Sequence, residues 1–100
     1  MKSLTAIEHK IKTLANKSTS FKIGKTSQPV EYRLRQHKKY DDVEVIVKSK
    51  YKKEIDRYEE AMLNRFIDHP KCDNKNVGSA ARMANKPLYV LYGVYNKKRR

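Results

Sequence analysis

Acidic residues are scarce in this chain of 100 amino acids, where 11 Asp and Glu stand against 24 Lys and Arg for a formal charge of +13. An excess of that size attracts polyanions and speeds association with nucleic acid, although solubility alone accounts for some of it. Cysteine is nearly missing too. Cys72 is the only one, so an intramolecular disulfide is excluded, in keeping with a reducing compartment. No run approaches the roughly 18 apolar residues of a membrane span, and the N-terminal segment lacks the apolar core of a signal peptide, so a cytoplasmic protein is expected. The basic residues are spread along the chain instead of flanking an apolar helix face, which sets membrane surfaces behind nucleic acid as partners. His69-Pro70-Lys71-Cys72 holds too few ligands for zinc. Internal repeats and low-complexity stretches are also missing.

What remains is a chain of one-domain length with 38% hydrophobic residues, enough for a small interior. Leu4, Ile7, Ile11, Leu14 and Ala15 recur at helical spacing, and Thr5 with Glu8 suits a capping box, so residues 4 to 15 read as an amphipathic helix. Ser20 to Lys25 alternates Phe21 and Ile23 and ends at glycine, as a strand would. Ser27, Gln28 and Pro29 open a second helix, expected to run to about Lys39. Val43, Val45 and Val47 mark a β-branched strand. Tyr51, Ile55, Tyr58, Met62, Leu63, Phe66 and Ile67 recur at three and four, which predicts the longest helix, ended by His69-Pro70. Residues 70 to 87 read as loop, with Ser79 able to cap a brief helix through Asn85. Leu88 to Tyr95 has strand length, and 96–100 reads as a short basic tail.

Two polar residues sit oddly on these patterns. At about 100° per residue Val30, Leu34 and His37 share one side of their helix, Arg33 lies about 60° to the flank, and Arg35 points away. Arg33 either covers apolar surface with its stem or reaches a phosphate. Glu59 falls within roughly 20° of the mean direction of Ile55, Met62, Leu63 and Phe66, so it faces inward. A buried carboxylate needs compensation, from Arg33 in a structural ion pair or from a divalent metal with substrate phosphates, magnesium being the suited ion. The seven tyrosines read mostly as core, with Tyr89 and Tyr92 on opposite faces of the last strand; stacking on unpaired bases is the other use of such aromatics.

At these residues the chain resembles the GIY-YIG nuclease superfamily, especially its compact phage and viral members. Phe21-Lys22-Ile23-Gly24-Lys25-Thr26 is similar to the second motif strand, Arg33 with His37 to the arginine helix, and Tyr58-Glu59 through Phe66 to the glutamate helix. The resemblance covers residues 20 to 67. It implies an α+β fold with a small three-stranded antiparallel sheet flanked by helices, a single GIY-YIG-like domain over 1–100. It further implies that Arg33 stabilises the scissile phosphate, that Glu59 holds one magnesium ion, and that motif tyrosines assist the attacking water. The first motif strand does not precede Phe21, and Phe21 replaces the second motif's tyrosine. Pro87 to Tyr92 looks like that first strand moved to the C-terminus, with Gly93-Val94-Tyr95 repeating the motif nearly literally, a circular permutation that would place Leu88 to Val94 between the other two strands.

The expected site is therefore Arg33, His37, Tyr89 and Tyr92 as catalytic residues and Glu59 as metal ligand. Lys22, Lys25, Arg35, Lys38, Lys39 and Asn74 or Asn76 are expected to bind nucleic acid, DNA ahead of RNA. A magnesium-dependent endonuclease is the leading function. The alternatives are an inactive binding or inhibitor protein on the same scaffold, aimed at nucleic acid or a host nucleic-acid-processing complex, and a basic protein that docks on an acidic host protein.

Overall fold

The computed structural model describes residues 3–75 and 86–98. Helix α1 spans Leu4–Asn16, strand β1 Ser18–Thr26, helix α2 Val30–Gln36, strand β2 Asp42–Ser49, helix α3 Lys52–Phe66 and strand β3 Tyr89–Lys97. The fold is α+β, one antiparallel sheet in the order β1-β3-β2 with three helices. The C-terminal strand is thus the central one, paired through Ile23↔Gly93 on one side and Glu44↔Gly93 on the other. Among the described residues no helix is long and apolar enough to cross a membrane.

Alternation along β3 divides the protein in two. Tyr89, Leu91 and Tyr95 join Phe21, Ile23 and the inward stripes of α1 and α3 in the main core, while Val90, Tyr92 and Val94 meet Val30 and Leu34 of α2 on the other face. Gly93 lets α1 close on the sheet, since a methyl there would stand 2.5 Å from a Leu14 carbon.

Several expected boundaries move. Ser3, not Thr5, caps α1, its hydroxyl accepting from the Ala6 amide at 3.1 Å, so the Thr5–Glu8 capping box does not form. β1 begins at Ser18, two residues earlier than its apolar alternation suggests, because pairing with Lys97 extends it. α2 stops at Gln36, which takes Lys38 and Lys39 off the helix and leaves His37 as its C-cap with ψ of 70°. Tyr51 is the N-cap of α3 and not part of its buried stripe; it is 70% exposed. The β2 alternation breaks at a bulge between Val45 and Val47, so Ile46 and Val47 are both buried. The expected basic tail loses Asn96 and Lys97 to β3. The brief Ser79–Asn85 helix and Asn76 lie outside the described residues.

Candidate functional site

β1 builds the site because its side chains alternate while one of its edges stays open to the loop after α3. Lys22, Gly24 and Thr26 share the α2 face, and Phe21, Ile23 and Lys25 the α3 face. The loop straps that edge: the Phe21 amide donates to the Lys71 carbonyl, the Asp73 amide to the Phe21 carbonyl, and the Asn74 side chain accepts from the Ile23 amide at 2.8 Å and donates to its carbonyl at 3.0 Å. Asn74 therefore closes a pseudo-ladder on β1. Tyr40 clips the other side of the strap, its hydroxyl donating to Asp73 at 2.6 Å, and burial together with the Asp73 carboxylate raises its pKa and keeps it protonated.

Between α2, β1, the strap and α3 lies a groove of about 1150 Å³ whose walls carry Lys22, Arg33, His37, Lys38, Lys39 and Lys75 together with Tyr92 and Glu59. Its sign is positive, as a phosphate backbone requires. Arg33 is held from two sides, its Nε donating to Thr26 Oγ1 at 3.2 Å and its Nη1 to Gln36 Oε1 at 2.9 Å. Thr26 is fully buried and also accepts from the Gln28 amide, so the anchor is fixed. Of the five guanidinium donors, three remain for a ligand.

Tyr92 reaches across beneath Gly24, where a methyl would stand 2.5 Å from its hydroxyl oxygen; glycine is what lets the ring lie there. That hydroxyl is 3.3 Å from His37 Nε2. Burial lowers the His37 pKa, helped by the charges of Lys22 and Arg33, and burial raises that of Tyr92 with Glu59 adding to it against Arg33. A neutral imidazole thus faces a protonated phenol, and the pair can accept a proton from a water placed beside it.

Glu59 faces inward as its helical position predicts, 3% exposed. Its compensating partner is Lys25, at 3.2 Å, and not Arg33; the same ammonium lies 2.9 Å from Asp56. Burial raises the Glu59 pKa against the pull of Lys25, whereas for Lys25 burial works the other way and the two carboxylates outweigh it, so its pKa rises. One positive charge on two carboxylates leaves the trio net negative. Among the described residues no three His, Cys, Asp or Glu side chains converge on a metal-sized site. The two carboxylates nearest the groove wall, Glu59 and Asp56, both face the Lys25 ammonium, which already stands where a cation would sit between them.

The other expected residues are placed as follows. Lys25 is spent on carboxylates and buried, so it offers no free charge to a phosphate. Tyr89 faces the main core, its hydroxyl accepting from the Lys86 amide, and does not line the groove. Arg35 turns outward onto the Tyr32 ring. Phe21 is fully buried, edge-on to Phe66 and His69, so no hydroxyl belongs at that position in this packing. Sequence reasoning missed Thr26 and Gln36 as the holders of Arg33 and Lys25 as the partner of Glu59. The alternation Phe21, Ile23, Lys25 held the signal for the last of these, since it sets Lys25 on the buried face.

The His37 environment predicts a pH dependence. A bound phosphate favours the imidazolium, so the bound-state pKa exceeds the lowered free-state value and binding takes up a proton. Affinity for an oligonucleotide should therefore rise as pH falls below about 6.5, and a His37→Gln variant should lose this component; anisotropy titrations over a pH series check it.

Among known protein families, the T5orf172 domain matches residues 7–86. That family is linked to phage nuclease-like domains and nucleic-acid-related function. No curated protein and no solved structure matches the chain.

Proposed function

The chain belongs to the T5orf172 domain family, and from that premise we propose that it is a nucleic-acid-binding protein that hydrolyses phosphodiester bonds as a GIY-YIG-type endonuclease, with DNA ahead of RNA as substrate. The observation that carries this reading is the groove in which Arg33, His37, Tyr92 and Glu59 meet under a rim of lysines. Arg33 takes the scissile phosphate on its free guanidinium donors, Thr26 and Gln36 fixing the approach. Charge on the phosphate is neutralised by a donor already in place, which is where such sites gain most of their rate. His37 receives the proton that the attacking water gives up, directly or across the Tyr92 hydroxyl. Lys25 pairs with Glu59 in the groove wall and opposes the burial that raises its pKa. Magnesium held by Glu59, with Asp56 beside it, would supply charge for the leaving oxygen. The central position of β3 supports the circularly permuted arrangement, since Tyr92 then supplies the hydroxyl of the first motif.

Incubating supercoiled plasmid with purified protein and magnesium, beside a Glu59→Ala variant, tests the reading. Nicking that the variant lacks is expected. The commitment of Glu59 to Lys25 favours a second reading, a scaffold that binds nucleic acid without turnover. Salt-dependent plasmid binding without nicking, equal in both proteins, would select it.

A further inference from the structure

Residues 48–53 read Lys-Ser-Lys-Tyr-Lys-Lys and run from the end of β2 through the turn at Lys50 and Tyr51 into the start of α3. Tyr51 at its centre is the most exposed of the large hydrophobic residues, at 70%. Its backbone is nevertheless fixed: the amide donates to Ser49 Oγ at 3.0 Å, and the carbonyl accepts from the Glu54 and Ile55 amides that begin α3. Lys48, Lys50 and Lys53 are exposed and Lys52 half-exposed. Among the described residues none of the four is in an ion pair. An exposed aromatic ring on a fixed backbone among uncommitted cations is costly to leave in water and suits a ligand that has both a flat apolar face and regular negative charge.

We propose that this turn is a second nucleic-acid contact, in which Tyr51 stacks on an unpaired base and the surrounding lysines hold the flanking phosphates. Lys52 precedes Glu59 by seven residues, which puts both on one side of α3 about 10 Å apart along the axis. A strand leaving the groove past Glu59 reaches the turn within about three nucleotide steps of 3.4 Å. The substrate class that fits is nucleic acid with a single-stranded stretch beside the groove. This inference rests on the nucleic-acid reading of the groove and adds to it the requirement for an unpaired base.

Anisotropy titrations of a labelled single-stranded oligonucleotide and a blunt duplex against wild type, Tyr51→Ala, Tyr51→Phe and Lys50→Ala/Lys53→Ala test it. Tyr51→Ala should weaken single-strand binding about tenfold and duplex binding by less than about twofold, with Tyr51→Phe close to wild type. The double lysine variant should flatten the single-strand salt slope by about 1.4. Single-strand binding unchanged in Tyr51→Ala, or lost equally on both probes, overturns the proposal. So does a Tyr51→Ala defect confined to vesicles containing phosphatidylserine, which would make the partner a membrane. Failure of wild type to bind either oligonucleotide would instead remove the underlying reading of the groove.

Discussion

Lys25→Met is expected to destabilise the fold by about 3–5 kcal/mol, because it removes the cation that, among the described residues, compensates a buried carboxylate. For a domain of this size that corresponds to a fall in Tm of roughly 12–40 °C. Adding Glu59→Leu should recover most of the loss, since an apolar pair of similar volume carries no desolvation cost, and Asp56 is exposed enough to stay hydrated alone. The deficit of the single variant also has a pH sign. Burial already raises the Glu59 pKa, and Lys25 is what opposes it among the described residues. A carboxyl whose folded pKa is raised contributes stability below its unfolded pKa and loses it as pH rises through the folded value. The Lys25→Met deficit should therefore shrink toward pH 4 to 5, near the unfolded carboxyl pKa. Thermal unfolding of the two variants across that range measures both effects; a single variant as stable as wild type at neutral pH would show that Glu59 is compensated otherwise.

Arg33→Ala carries the largest expected effect on function, a fall in the single-turnover cleavage rate of about 10²–10³-fold with affinity little changed. The split follows from geometry. Arg33 is one cation among several on the groove rim, so its loss should lower the salt slope by only about one, while its held guanidinium is the one donor set in place for a single phosphate. Arg33→Lys should not restore the rate, because an ammonium has neither the fork nor the Nε contact to Thr26. Quench-flow cleavage beside equilibrium binding separates the two quantities. Equal losses in rate and affinity would make Arg33 a binding residue and no more.

The parts of the fold legible in the sequence are those where one periodicity acts alone. The stripe of α3 is amphipathic over four turns, and it places Glu59 inward without any knowledge of the sheet. The central place of β3 was legible because a further strand had to pair β1 with β2, and the C-terminal apolar run was the one remaining segment long enough to do it. What was hidden depended on two elements meeting. The β2 bulge at Ile46 breaks an alternation that three valines make look regular. Tyr51 fits the α3 spacing by number but stands one residue outside the helix. The C-cap at His37 follows from no nearby glycine or proline. Tyr89 and Tyr92 differ by three positions in an apolar run, so sequence could oppose them but not say which faced the groove. Likewise the Lys25–Glu59 pair joins β1 to α3 across 34 residues, and neither pattern alone reveals which cation lies opposite the acid.

The account turns on four side chains from three elements acting on one phosphate. A crystal structure with a cleavage-resistant phosphorothioate oligonucleotide tests this most directly. The predicted result is a phosphate within hydrogen-bond reach of the free Arg33 donors, with the Tyr92–His37 pair beside its phosphorus and Glu59 behind it. An oligonucleotide lying along the lysine rim with no phosphate at Arg33 would contradict the account.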